Sequence, residues 1–261
     1  MLMASELVIV GSSAAVPRPN RANSCYLIRN ADTHIVLELG SGSFSKLLSV
    51  QDVASIDALF ISHMHADHFF DLVPLRYALK YEIERSTLLP VFLPPGGIKQ
   101  LRSVVSPFAK RGSFFEGMIA LDEYAPDGEY RIAGATLTFA KTRHYIAAYA
   151  MRVQLEDATI AFSSDTAPEQ RVVDLAQSAD VFLCECGLGA QGAETGKRGH
   201  LNAREAGELA SRARITHLVL THYHASADPA DLDRAARTAF SGRISVADDG
   251  IVYTGECAQL A

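Results

Sequence analysis

No stretch of this 261-residue sequence stays apolar over the roughly 20 residues a membrane-spanning helix needs. No signal peptide opens the chain either, because Glu6 interrupts a short apolar start. The four cysteines, Cys25, Cys184, Cys186 and Cys257, are spaced neither as a disulfide framework nor as a zinc ribbon. Cys184 and Cys186 flank Glu185 in an apolar, strand-like run and read as buried thiols, so a reducing cytoplasm is the expected location. The small-residue loop from Gly11 to Asn23 is not a GxGxxG dinucleotide loop. Low-complexity segments, short-period repeats and linkers are missing, which leaves one domain over residues 1–261 with enough apolar residues for a sizeable core. A general excess of positive charge is missing too: the net charge is −6, so the surface as a whole does not advertise nucleic-acid binding.

The charge is uneven, however. Arg76, Lys80, Arg85, Lys99, Arg102, Lys110 and Arg111 fall in one segment with only Glu82 and Glu84 as acids. A solvated helix face accounts for this; so does a patch that attracts a phosphate-bearing substrate.

What the chain does have is Ser62-His63-Met64-His65-Ala66-Asp67-His68, directly after an apolar run and directly before an amphipathic one. No ordinary packing need explains three imidazoles and a carboxylate within six residues. Further histidines and an aspartate follow predicted strands in the same way: His63 and His65 after Asp57–Ile61, His144 after Ala135–Thr142, Asp165 after Thr159–Phe162, His222 after Leu218–Leu220. Function gathers where loops leave strand ends. A lone His144 or His222 is more often structural, but repeated placement beside a dense cluster argues for ligands. The inventory fits two metal ions, one on His63, His65 and His144, the other on Asp67, His68 and His222, with Asp165 bridging. Mixed imidazole and carboxylate donors suit Zn²⁺ first, and Mn²⁺ or Fe as well. Paired ions of this kind activate a bridging water for hydrolysis. His34, His217 and His224 are left over and read as structural or exposed.

Elsewhere the pattern is strands, then alternating strands and helices, twice over, which predicts a four-layer α/β/β/α sandwich. Asp67 is expected to cap a helix, Pro168 to open one, and Asn202-Ala203-Arg204-Glu205 to form a capping box. The glycine-rich loop 187–199 is expected to be mobile.

His63-x-His65-x-Asp67-His68, the later His144, Ser164-Asp165-Thr166 and Thr221-His222 together resemble the metallo-β-lactamase superfamily over nearly the whole chain. Gly11-Ser12-Ser13-Ala14-Ala15-Val16-Pro17, Leu39-Gly40-Ser41-Gly42, Arg143-His144-Tyr145 and Ser163-Ser164-Asp165-Thr166 are similar to its ribonuclease Z-like branch. The resemblance implies the αββα fold, the seven metal ligands above, a homodimer, and a Glu185–His200 pair that assists the leaving group. His200 can donate a proton while Glu185 orients it and holds its charge; without the resemblance, a loop histidine and a buried acid tied to backbone would be the preferred reading. Asp67 serves as ligand and general base.

Three departures bear on substrate. Glu38 stands where the family usually has Asp. Only 20 residues separate His144 from Asp165, too few for the arm that ribonuclease Z inserts there for tRNA. Thr221-His222-Tyr223-His224 lacks the Arg-Tyr pair that often follows the last histidine in tRNA processors. The expected activity is therefore a binuclear phosphodiesterase on a small or cyclic nucleotide or a short RNA. The alternatives are a lactone or carboxylic ester hydrolase on the same platform, and a metal-binding protein without catalysis, for which so complete a ligand set gives little reason. Redox chemistry at a di-iron site would replace a ligand histidine with an acid, and none is replaced.

Overall fold

The computed structural model describes residues 4–109, 114–254 and 257–260, the last four as backbone alone. Lys110 and Arg111 of the basic segment lie outside the described residues. One sheet is built from β1 (Glu6–Gly11), β2 (Cys25–Arg29), β3 (His34–Leu37), β4 (Ala58–Phe60), β5 (Leu89–Leu93), β6 (Ile119–Glu123), β14 (Ile251–Thr254) and β15 (Cys257–Leu260). Its order is β15-β14-β1-β2-β3-β4-β5-β6. The other holds β7 (Tyr130–Ile132), β8 (Ala135–Lys141), β9 (Tyr149–Gln154), β10 (Thr159–Phe162), β11 (Val181–Glu185), β12 (His217–Thr221) and β13 (Arg243–Val246), in the order β13-β12-β11-β10-β9-β8-β7.

Three separate apolar clusters show how the layers stack. Ile9, Ile35 and Phe60 of the first sheet meet Val153, Phe162, Leu183 and Val219 of the second, so one core lies between the sheets. On the outer side of the first sheet, α1 (Ser43–Val50), α3 (Leu72–Tyr81) and α4 (Gly97–Val105) bring Leu47, Leu72 and Leu101 onto Leu27, Val36 and Leu59. On the far side of the second, α5 (Gln170–Leu175), α6 (Ala203–Ala213) and α7 (Pro229–Arg237) bring Val172, Leu209 and Leu232 onto Phe182 and Leu218. This is the expected α/β/β/α sandwich. Fully buried strands such as β12 are apolar nearly throughout, while β8 alternates, with Ala135, Leu137 and Phe139 buried between half-exposed neighbours.

The strands that matter for function run parallel. β3, β4, β5 and β6 pair parallel in the first sheet, and β10, β11, β12 and β13 in the second. Their carboxyl ends therefore open on one rim, where their loops converge. Between His144 and Asp165 the chain makes only the β9–β10 hairpin, closed by Leu155 N donating to Ala158 O at 2.8 Å.

Local structure departs from expectation in four places. Asp67 lies inside the first turn of the short α2 (Ala66–Phe69), whose N-cap is His65, so the Asp67 carboxylate is left for the site. Pro168 lies ahead of α5; Glu169 caps that helix by accepting from Arg171 N. The edge strand β15 escaped the pattern reading. The loop expected to be mobile is held by hydrogen bonds from Leu188 N to Leu201 O and Ala203 N to Gly189 O. The Asn202–Glu205 capping box is present in both directions. No helix among the described residues is long and apolar enough to cross a membrane.

Helices α6 and α7 touch where Gly207 faces Ala236; a Cβ at Gly207 would stand 2.5 Å from the Ala236 carbonyl oxygen. Gly207→Ala is therefore expected to cost about 1–3 kcal/mol by forcing the helices apart. Urea unfolding measures this, and an unchanged midpoint would mean that α7 yields freely.

Candidate metal centre

Each side chain of interest leaves the end of a strand or the turn after it. β4 ends at Phe60, and the next residues present Ser62, His63 and His65. The chain after β8 presents His144, the chain after β10 Asp165, and the chain after β12 His222. Three non-glycine residues here adopt left-handed backbone: Glu38 (φ 65°), Ser164 (φ 52°) and His222 (φ 51°). Such conformations cost of order 1–3 kcal/mol each and persist where surrounding structure enforces them. At Gly40 the constraint is space: a Cβ would come within 2.0 Å of the Asp67 carbonyl oxygen, so only glycine lets this loop lie against the cluster.

The histidines converge as two groups about one carboxylate. His65 Nδ1 stands 3.1 Å from both His63 Nε2 and His144 Nε2. On the other side, His222 Nε2 is 3.3 Å and His68 Nε2 3.6 Å from Asp67 Oδ2. Asp165 lies between them, its Oδ2 3.7 Å from His63, 3.5 Å from His68 and 3.9 Å from His144, its Oδ1 3.6 Å from His222 Nδ1. His63, His65, His144 and Asp165 form one set, and Asp67, His68 and His222 another, whose donor atoms lie within 4.8 Å of one another and could hold a metal ion.

The surrounding bonds orient these donors. His144 Nδ1 donates to Gly199 O at 2.8 Å, which leaves Nε2 as the lone pair facing the cluster. His63 Nδ1 meets Ser62 Oγ at 3.0 Å, and Ser164 Oγ in turn donates to Ser62 Oγ at 2.8 Å. Asp67 Oδ2 accepts from Ala15 N at 2.9 Å. Glu38 accepts from Ser62 N at 3.0 Å and places its other oxygen 3.6 Å from His68 Nδ1.

Electrostatics separates the two groups. Burial lowers the His63, His65 and His144 imidazoles, His144 to about 4, so all three present neutral lone pairs. Burial opposes protonation of His68 and His222 as well, but Asp165 and Asp67 outweigh it and raise both above their usual range. Burial opposes the Asp165 charge, and His222 and His68 overcome it, holding its carboxyl well below the usual range. Both ring nitrogens of His68 and Nδ1 of His222 are buried without a hydrogen-bond partner. A buried polar group left so costs about 1–3 kcal/mol. Divalent cations among these donors would satisfy His68 Nε2 and His222 Nδ1, which face the Asp67 and Asp165 carboxylates, and would counter those charges, so the donor set fits them.

Glu185 and His200 also meet here. His200 Nδ1 lies 3.0 Å from Glu185 Oε1 and 3.9 Å from Asp165 Oδ2. Glu185 is fully buried and accepts from Thr166 N at 2.9 Å and Gly187 N at 2.8 Å. It is thus both an acid tied to backbone and the partner of His200. Burial opposes the His200 charge, but the bond to Glu185 and its negative charge raise the imidazole to about 9. Glu194, unremarked in the sequence, fixes the loop by accepting from Gly199 N at 2.7 Å and His200 N at 3.1 Å. No motif marks Glu194; its position five residues before Gly199 in a glycine-rich loop is the one available hint.

Of the remaining histidines, His217 is buried against Ser245 Oγ at 2.9 Å and His34 sits 4.0 Å from Asp57, both structural as expected. The basic segment is partly consumed by the fold. Arg76 donates to Phe114 O, and Arg85 to the carbonyls of Val53 and Ala54. Lys80, Lys99 and Arg102 are exposed.

Comparison with known proteins agrees with this geometry. Residues 41–223 match the model of the beta-lactamase superfamily domain, and the chain belongs to that family of metal-dependent hydrolases. Within it the chain falls in the ribonuclease Z-like branch. It is 29% identical over 253 residues to the probable metallo-hydrolase YhfI of Bacillus subtilis, covering 96% of this chain and 100% of that one. The crystal structure of that protein superposes with a TM-score of 0.86, covering 97% of this chain and 100% of that one at 28% identity. A ribonuclease Z of Natronomonas pharaonis is 26% identical over 95% of this chain and 97% of its own length. The short form of human tRNase Z shares the fold, with a TM-score of 0.75 at 19% identity over 97% of this chain and 100% of that one.

Glu38→Gln keeps the acceptor for Ser62 N but replaces the carboxylate oxygen that faces His68 Nδ1 at 3.6 Å with an uncharged amide. Metal affinity is expected to fall about 10–100-fold, read by competition with a chromophoric chelator while circular dichroism stays native. Unaltered affinity would remove Glu38 from the support of His68.

Proposed function

We propose that residues 1–261 form one hydrolase domain that holds two divalent ions, zinc in the first place, and cleaves phosphodiesters of small or cyclic nucleotides or of RNA. The observation that carries this reading is the pair of buried Glu185 and half-buried His200, at 3.0 Å, set 3.9 Å from Asp165 beside the two donor groups; His200 also forms a third candidate group with Asp165 and His222. His63, His65 and His144 would hold one ion, Asp67, His68 and His222 the other, and Asp165 both. Ions so held supply Lewis acidity toward water and the phosphoryl oxygens.

The protein's own residues handle the protons. A phosphodiester leaves behind an alkoxide unless a proton reaches its oxygen as the P–O bond breaks. His200, charged near neutral pH because Glu185 outweighs burial, has that proton to give. Glu185 keeps its ring oriented through Nδ1, so Nε2 is the donating atom. Asp67 is assigned the opposite task of taking a proton from water: burial opposes its charge, but the positive charge beside it, on His68 and His222 or on an ion held in their place, keeps it ionised. A carboxylic ester or lactone has less need of a cationic acid, because its carbonyl oxygen rather than its leaving group gathers the first charge. That difference favours the phosphodiester reading over the ester one.

Cys25, Cys184 and Cys186 are free and buried, which fits a reducing cytoplasm. The ribonuclease Z-like branch supports a homodimer, and a light-scattering mass near 28.2 kDa would refute it.

Protein purified without chelator is expected to carry close to two ions per chain; a consistent count of none removes the core of the proposal. It is expected to hydrolyse bis-p-nitrophenyl phosphate and to leave simple lactones intact, and the reverse preference would establish the ester reading. His200→Ala is expected to lower kcat about 10²–10⁴-fold with the metal content retained. Loss of metal in that variant would instead make His200 a ligand.

A further inference from the structure

Beside His200 the rim opens into a cavity of about 390 Å³, walled by residues 187–190 on one side and by His224 and the start of α7 on the other. Gly187 joins it to the site. Its amide donates to Glu185 Oε2, and a Cβ there would stand 3.2 Å from both Glu185 Oε2 and His200 Nδ1. Gly187 thus lies against the Nδ1 edge of His200, the edge that also faces Glu185 at 3.0 Å and Asp165 at 3.9 Å, and the cavity adjoins this pair through Gly187. In an in-line displacement the departing oxygen lies opposite the attacking one, so whatever His200 protonates leaves on the His200 side.

The wall chemistry narrows the occupant. No lysine or arginine lines the cavity, while Asp228 and Asp231 do. The N-terminus of α7 would attract an anion, but Asp228 Oδ1 already accepts from Ala230 N at 2.8 Å and Asp231 adds a second carboxylate to the first turn. Arg234 pairs with Asp231 without being part of the wall. Arg18 donates to the Tyr223 carbonyl. Leu188, Ala190, Ala227 and Leu232 supply the apolar floor. The volume falls in the roughly 300–1,000 Å³ range of small-molecule sites. A phosphate would meet carboxylates here and no lysine or arginine in the wall, whereas a sugar and base find apolar surface and carboxylate acceptors for hydroxyls.

Resting on the phosphodiesterase reading, we propose that this cavity is the leaving-group site and that it takes a nucleoside bearing no further phosphate. The bond broken is P–O, the proton on the departing nucleoside hydroxyl comes from His200, and water supplies the oxygen added to phosphorus. Internal linkages of a polynucleotide are thereby disfavoured, and terminal linkages or cyclic nucleotides preferred.

The trinucleotide ApCpU tests this with the metal-loaded full chain. Whichever P–O bond is cut, a leaving group without phosphate emerges as free adenosine or uridine, and one with phosphate emerges as ApC or CpU. Initial products are expected to hold at least ten times more free nucleoside than dinucleoside monophosphate. Asp231→Asn is expected to narrow that ratio by raising the dinucleoside share, with thermal unfolding checking that the variant is folded. Equal or greater release of ApC or CpU by the parent chain overturns the proposal, as does an unaltered ratio in a folded Asp231→Asn. An intact trinucleotide while bis-p-nitrophenyl phosphate is hydrolysed also overturns it, since no nucleoside is then accepted. If neither compound is hydrolysed, the phosphodiesterase reading itself falls.

Discussion

The buried carboxylate of Asp165 is the constraint around which the rest of the structure is arranged. Five imidazoles, of His63, His68, His144, His200 and His222, come within 4 Å of its oxygens. A carboxylate charge removed from water is tolerated only with opposite charge close by. Protons on His68 and His222 provide that charge when no ion does. An ion among the same donors provides more of it and needs those protons released, so affinity and pH are coupled in this centre. A cluster of this kind cannot be held by one loop. It needs donors from both sheets, which is why the two halves of the sandwich meet here.

Geometry at the strand ends shows what the fold contributes. Parallel strands of both sheets end on one rim, and the residues that follow turn sharply, through left-handed backbone at Glu38, Ser164 and His222. Strain of that sort is tolerable because the strands behind it are buried and fully paired. Hydrogen bonds then cross between loops that are distant in sequence: Ser164 to Ser62, Glu38 to Ser62, Ala15 to Asp67, Thr142 Oγ1 to the Asp165 carbonyl. These contacts orient the donors, and neither sheet could make them alone.

Much of this was legible in the sequence, for physical reasons. Buried parallel strands are short apolar runs, so their ends are easy to locate, and a histidine just past such an end has few structural explanations. His63, Asp165 and His222 were found that way, and His144 at the end of the alternating, antiparallel β8. Helix starts were less legible. Asp67 looks like a cap, but it stands in the first turn of α2 with its side chain facing His222 and His68. Pro168 looks like a first helical residue, but Glu169 takes the cap by accepting from Arg171 N. The supporting set was hidden for a different reason. Ser62, Ser164, Glu194 and the Gly199 carbonyl act through individual hydrogen bonds, some across long sequence gaps as between Ser164 and Ser62 or His144 and Gly199, and no periodicity encodes such bonds. The loop 187–199 reads as mobile from its glycines, yet Glu194 and the Leu188–Leu201 and Gly189–Ala203 bonds hold it against the site.

The division of labour between strand ends and loops follows from that. The donors on the strand ends are close to symmetric about Asp165, three on one side and three on the other, and such a cluster by itself has no preferred leaving-group side. Asymmetry enters where β11 ends: Glu185 closes that strand, the loop after it returns to set His200 beside Glu185, and Gly187 joins the pair to the adjoining cavity. The candidate metal donors and the Glu185–His200 pair are thus held by different parts of the fold. The first are locked to the sheets and cannot drift without dismantling the core. The second depends on a short segment pinned by a few hydrogen bonds to Glu194 and Leu201, so a change there can move His200 while leaving the seven donors where they are.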